Sequence, residues 1–282
     1  MAAGEIIIKN ITDKKDIRDL IFHHVIKNQY LARISVRRQG VLSGIEHLKT
    51  ACENIPIQLL SCSQSGEMVK PSDSVATLKG NPKELAIGEE ALMGWISKAS
   101  GIATAAWKAR KAAGKNLKIV CGAWKKMPPP LKELIRQAIS DGGIPYRISD
   151  SPFIYLDKNY VKILGGVEKS LKSVKTFKEC KIVIQLQGEQ AELRKEALLA
   201  VQKGADIIML DTGRIKDIAI IDSELKAKAL RDGIQIAFGG NVRLEDLKEL
   251  KKMPLEIVDI GRAIVDAPLL DMRMEIIKKN NE

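Results

Sequence analysis

From residue 117 onward, short apolar runs alternate with amphipathic segments in a regular order that few folds accommodate. LKIVCGA (117–123) reads as a strand and PPLKELIRQAISDGG (129–143) as a helix closed by glycines. PYRIS (145–149) and FIYLD (153–157) are short extended pieces, and GVEKSLKSVKTF (166–177) is a helix. CKIVIQLQ (180–187), ADIIMLD (205–211), IQIAFGG (234–240) and EIVDIGRAI (256–264) read as strands, the last as the final one. Between them lie helical patterns at 190–204, 214–233 and 242–253. Such alternation implies a parallel sheet covered by helices, and here a barrel rather than an open sheet. No G-x-G-x-x-G or Walker loop follows a strand, which argues against a dinucleotide or P-loop fold.

The first hundred residues follow a different rule. Residues 15–30 are expected to be helical, whereas ARISVRR (32–38), GVLSGIEHL (40–48) and IPIQLLSC (55–62) alternate with period two. GEMVKPSDSVATLKG (66–80) reads as a tight turn between strands. Residues 85–113 return to helical spacing, with many alanines. The fold expected from these patterns is α/β: a small α+β domain followed by a parallel barrel.

Composition narrows the classes. Among 282 residues, 45% are hydrophobic and 29% charged, so a full core is available. No apolar run approaches the roughly 20 residues that cross a bilayer. MAAGEIIIKN lacks the order of a secretory leader. A cytoplasmic protein is expected, with Cys52, Cys62, Cys121 and Cys180 reduced and mostly buried. His23, His24 and His47 offer no convincing zinc set. The net charge of +11 suits phosphate-bearing small molecules as well as nucleic acid. The lysines are dispersed along helices with no aromatic-interleaved basic strand, so nucleic-acid binding is the least favoured reading.

In a barrel, chemistry sits at the carboxyl ends of the strands. Those ends carry Lys125 and Lys126, Arg147, Asp157 and Lys158, Gln185 and Gln187, and Asp211. Phe238-Gly239-Gly240-Asn241 and Gly261-Arg262 follow. Two glycine turns, each between a strand and a helix, point to a phosphate cup of free N–H groups. The alternative is a tight βα turn that needs glycine for backbone reasons alone.

The order of these signatures resembles the quinolinate phosphoribosyltransferase family and its paralogues, the molybdenum-associated ModD type included. The resemblance rests on GVLSG (40–44), the 66–80 turn, SGIAT (100–104), KKMPPPLK (125–132), GGIPYR (142–147) and LGG (164–166). GADIIMLD (204–211), FGGN (238–241) and DIGRAI (259–264) complete it, so nearly the whole chain is covered in one order. It implies an α/β fold with an N-terminal α/β sandwich domain, residues 1–101 with 267–282, and an incomplete parallel α/β barrel over 102–266. It also implies a pentosyltransferase acting on phosphorylated ribose or a nucleotide, and a homodimer with each sandwich over its partner's barrel. Carried over residue by residue, the catalytic lysine falls on Lys125 and the arginine of an H-R pair on Arg147. The acid closing the metal and ribose site falls on Asp211, and the phosphate glycines on Gly239, Gly240 and Gly261, beside Asn241 and Arg262.

The departures from the family pattern cluster around the base. Trp124 and Ala123 replace an arginine and a threonine, and Tyr146 replaces the histidine of the H-R pair. Glu90 stands for an arginine donated across the dimer, and Asp157, or Lys158 with a one-residue shift, for a lysine. Gln187 replaces a glutamate that helps hold magnesium, so any Mg²⁺ would be held weakly. Quinolinate carries two carboxylates and calls for forked cations. An aromatic, acidic pocket suits a planar neutral or cationic group instead. The expected activity is therefore phosphoribosyltransferase-like with altered base specificity. The alternative keeps the fold but binds, or transfers a group from, a cationic or aromatic nitrogen compound. On the plainer reading, Trp124 and Tyr146 are barrel-top packing and Glu90 is a solvated helix residue.

Overall fold

Residues 16–188 and 191–280 are described by a computed structural model, in which the chain divides into two compact units. One comprises residues up to Trp107, Lys125–Gly143 and the segment from Asp266; the other comprises Lys108–Trp124 and Ile144–Val265.

The first unit is built on a four-stranded antiparallel sheet. Its strands are β1 (Gln29–Val36), β3 (Gln58–Cys62), β5 (Ser74–Gly80) and β12 (Met272–Asn280), in the order β12-β1-β5-β3. A two-stranded ribbon joins β2 (Gly40–Val41) to β4 (Met68–Val69). Period-two alternation sends Ala32, Ile34 and Val36 of β1 inward, where they meet Leu78 of β5. Two helices cover that face: α2 (Ile45–Glu53) through Ile45 and Leu48, and the long α3 (Pro82–Ala113) through Leu85, Leu92 and Ile96.

The 15–30 helix is corrected. Only α1 (Ile17–Ile21) forms, because Asp16 caps it by accepting from the Arg18 N–H at 3.0 Å, while turns consume the next residues. Part of GVLSGIEHL is likewise helix rather than strand. Gly44, at φ +81°, turns the chain into α2 with no side-chain cap to announce it. EIVDIGRAI is not the last strand, since β12 follows it and pairs along the whole of β1. MAAGEIIIKN, Lys15 and Gln190 lie outside the described residues.

The second unit is the expected parallel sheet. It contains β6 (Lys118–Val120), β7 (Phe153–Leu156), β8 (Lys181–Leu186), β9 (Ile207–Leu210), β10 (Gln235–Phe238) and β11 (Ile257–Asp259). Their spatial order is β6-β11-β10-β9-β8-β7. Strands spaced at about 4.8 Å would put the outer two of a flat six-stranded sheet about 24 Å apart. Yet Val120 of β6, Val183 of β8, Met209 of β9 and Tyr155 of β7 share one apolar cluster. The sheet is therefore curled on itself, an incomplete barrel.

Helices α5 (Lys158–Leu164), α6 (Val167–Val174), α7 (Ala191–Gln202), α8 (Lys216–Ala227), α9 (Leu247–Leu250) and α10 (Arg262–Val265) alternate with the strands. PYRIS forms no strand; it runs as bends ahead of β7. α4 (Lys132–Asp141) belongs to the first unit. No helix of the described residues is long and apolar enough to cross a membrane.

Candidate active site

Parallel strands end on one edge of a barrel, so the residues that follow them are brought together there. Asp211 ends β9, and its N–H donates to Leu186 O at 3.2 Å, which fixes its place beside the end of β8. Its Oδ2 accepts from two amides, Gln185 Nε2 and, at 3.3 Å, Gln187 Nε2. The Gln185 carbonyl oxygen accepts from the Lys158 N–H at 3.0 Å. That contact decides the orientation of the amide, because a backbone N–H needs an acceptor and the NH₂ end must then face Asp211. Asp211 Oδ1 accepts no hydrogen bond among the described residues. It lies 3.5 Å from where a Cβ on Gly239 would stand. A Cβ at 239 would make ordinary van der Waals contact with this oxygen, and glycine leaves that space empty.

The same glycine lies between two acids: the position of its missing Cβ is 3.7 Å from Asp259 Cβ. Asp259 ends β11 and accepts from the Gly122 N–H at 3.0 Å. Tyr155 stands on β7 inside the curl. Burial pushes its phenol well above the usual range, and Asp259, Asp211 and Asp157 push it further. It therefore remains a neutral hydroxyl at working pH. Asp259 and Tyr155 are the residues the sequence reading missed. The signal for Asp259 was present, since EIVD ends in an acid just as IIMLD does.

The glycine turn after β10 packs against the turn after β9. Gly213 N–H donates to Gly239 O at 3.1 Å, and a Cβ on Gly240 would fall 2.5 Å from Gly213 N. Gly240 and Asn241 take φ values of +98° and +59°, a left-handed pair that turns the backbone sharply. Close backbone approach alone therefore demands glycine at 240. The N–H groups of Gly240, Asn241 and Val242 nevertheless pair with no acceptor among the described residues, as an anion cradle needs. At the neighbouring turn, Cys121 is buried with Sγ 3.9 Å from Gly261 O, and burial pushes its thiol up to about 12. Arg262 is exposed and opens α10.

The aromatic replacements form a pair. Trp124 and Tyr146 meet edge to face, with centroids 5.9 Å apart at 87°. Trp124 Nε1–H donates to Tyr146 O at 2.9 Å, which satisfies the indole within the protein. The exposed Arg147 guanidinium lies 5.8 Å from the centre of the Phe153 ring. Asp157 caps α5, accepting from Asn159 and Tyr160 N–H at 2.8 and 3.0 Å, so its carboxylate is already engaged.

A cavity of about 380 Å³ opens beside Gln187 and is walled by Lys158, Lys162, Gln185 and Glu196. Burial pushes the Glu196 carboxyl up, and the Gly188 N–H partly offsets this.

Two candidates belong to the first unit. Glu90 on α3 makes a two-pronged ion pair with Arg18, at 2.7 and 2.8 Å. It therefore has a partner of its own, as an ordinary exposed helix residue would. Lys125, with Lys126, ends a short 3₁₀ turn (Ala123–Lys126) and is exposed.

A curled parallel sheet with a small antiparallel sheet domain, and polar side chains gathered at the strand ends, defines the half-barrel α/β transferases. Within that class the chain belongs to the quinolinate phosphoribosyltransferase family. The family's N-terminal domain matches residues 19–100 and its C-terminal domain residues 102–275. A probable nicotinate-nucleotide pyrophosphorylase (carboxylating) of Archaeoglobus fulgidus is 28% identical over 250 residues, covering 88% of this chain and 94% of that protein. The human nicotinate-nucleotide pyrophosphorylase (carboxylating) is 22% identical over 250 residues, covering 88% and 82%. Two solved nicotinate-nucleotide pyrophosphorylases share the fold. That of Pyrococcus furiosus superposes with TM-score 0.81 at 22% identity, covering 99% of this chain and 77% of that one. That of Francisella tularensis gives 0.80 at 19%, covering 97% and 94%.

Proposed function

We propose that this chain is a phosphoribosyltransferase-like enzyme of altered base specificity, working as a homodimer on a phosphorylated ribose or nucleotide. The observation that carries the reading is Asp211, whose open Oδ1 stands beside a glycine turn with unpaired N–H groups. A 5-phosphate fits the Gly239–Asn241 turn with Gly261 and Arg262, and ribose hydroxyls fit Asp211. Arg147 supplies a cation for the remaining phosphates, and Lys125 is the catalytic lysine by the resemblance. The bond from ribose C1 to pyrophosphate breaks, pyrophosphate leaves with the electron pair, and a ring nitrogen forms the new bond to C1. Positioning and the stabilisation of charge on an oxocarbenium-like ribose drive that exchange.

The acceptor differs from quinolinate on this reading. Asp259, Asp211 and Asp157 all act on the Tyr155 phenol, and a carboxylate beside a dicarboxylate costs on the order of 1 kcal/mol at effective protein dielectric. The Trp124–Tyr146 pair offers a flat face instead. The same pair favours a second reading, in which a cationic or aromatic nitrogen compound is bound, or donates a group, without ribosyl transfer from pyrophosphate.

Isothermal titration with phosphoribosyl pyrophosphate and with mononucleotides tests the first reading. Saturable binding of both is expected; no heat with either sinks it. Equal thermal shifts with anionic and pyridinium ligands count against the second.

A further inference from the structure

The resemblance implies a magnesium ion at the end of β8, and the donors present there do not fit one. Mg²⁺ binds through oxygen, commonly one or two carboxylates plus waters and substrate phosphates. Around Asp211 the neighbours are Gln185 and Gln187, and both turn their NH₂ groups toward Oδ2. Gln185 cannot reverse without facing its NH₂ against the Lys158 N–H, which now donates to its carbonyl at 3.0 Å. Reversing Gln187 would set its carbonyl oxygen against a carboxylate. The hydrogens of two amides therefore face Oδ2, carrying the same sign of charge as a cation, and β8 contributes no carboxylate, so Asp211 offers a cation only Oδ1. Among the described residues no group of three His, Cys, Asp or Glu is placed to hold a metal.

We infer that Gln185 and Gln187 take the place of the cation, so that this site binds the hydroxyl face of its ligand without a divalent metal. The amides neutralise part of the Asp211 charge and fix the plane of its carboxylate. Oδ1 is then the oxygen presented to a ligand hydroxyl, in the gap that Gly239 leaves. The cavity beside Gln187 is walled by Lys158 and Lys162 rather than by further acids, Glu196 excepted. The inference rests on the proposed phosphoribosyl site, but the metal question has its own readout.

Mn²⁺ alone, followed by electron paramagnetic resonance, is the probe. The purified chain is expected to leave Mn²⁺ free in solution, whereas Gln185→Glu/Gln187→Glu is expected to bind it. Ribose 5-phosphate should titrate the unaltered chain equally well in EDTA and in Mg²⁺. Mn²⁺ binding by the unaltered chain that vanishes in Asp211→Asn overturns the inference. So does a folded double variant that binds no Mn²⁺, since the amides would then not be what excludes the ion. Gln187→Glu alone, at an exposed position, gives the same contrast if the double variant fails to fold. Failure of ribose 5-phosphate to bind under any condition defeats the functional reading and leaves the Mn²⁺ contrast to be judged separately.

Discussion

Asp211 divides its work between two oxygens: Oδ2 is held by Gln185 and Gln187, and Oδ1 faces the gap at Gly239. Asp211→Asn removes the charge that both amides complement, and its one carbonyl oxygen can face either the glutamines or the ligand hydroxyl but not both. A hydrogen bond to a charged group is worth about 1.5–3 kcal/mol. Ribose 5-phosphate affinity should accordingly fall by roughly ten- to a hundredfold. Titration of this variant checks it, and an unchanged affinity would show that the hydroxyl face binds elsewhere. The sequence reading reached Asp211, Gln187 and the glycines because each sits where a strand-ending pattern stops. It missed Asp259 because that acid lies inside a motif read for its glycine. The exposed Glu90 illustrates the opposite limit: only coordinates reveal that Arg18, 72 positions away, pairs with it.

At the scale of elements, the barrel strands were legible and the short helices were not. A continuous apolar run such as Ile207–Leu210, buried at every position, admits little besides a central parallel strand. By contrast α2 starts on a bare left-handed Gly44, which single-residue patterning does not flag. α5 was legible in principle, with Asp157 as its N-cap and Gly165 closing it at φ +82°.

The barrel elements are also tied by a part-buried ionic network. Arg231 donates to Asp222 of α8 at 2.8 Å, to Ile234 O at 2.7 Å and to Glu256 at 2.6 Å. Glu256 in turn accepts from the Ile236 N–H of β10 at 2.7 Å. Burial pushes the Asp222 carboxyl up, but hydrogen bonds from Lys226 and Arg231 outweigh it and hold the group below its ordinary range. A folded-state pKa held low adds stability above the unfolded value of about 4, and that contribution is lost as pH falls through the folded value. With Lys226 left on Asp222, breaking this part-buried pair costs on the order of 1 kcal/mol. Arg231→Met should therefore melt below the unaltered chain at neutral pH, and the gap should narrow toward pH 3. Calorimetry across that range decides it; a gap independent of pH removes Asp222 from the account.

At the scale of the whole molecule, one chain forms two compact units, and β12 lies against β1 within the first of them. The net charge of +11 is spread over both classes of element rather than gathered on one strand face, and it suits anionic small molecules. Family membership covers residues 19–100 and 102–275; on the proposed reading, the residues that would meet the base are those that depart from the family pattern. Fold and substrate are thus separable: the scaffold is set by apolar strands and glycine turns, the base by a few exchangeable side chains. The claim at the centre is that the phosphoribosyl half of the site is kept while the dicarboxylate half is lost. Parallel titrations of one preparation with nicotinate mononucleotide and with quinolinate test it most directly. Saturable binding of the mononucleotide and none of quinolinate is expected; tight quinolinate binding, or its turnover with phosphoribosyl pyrophosphate, would contradict it.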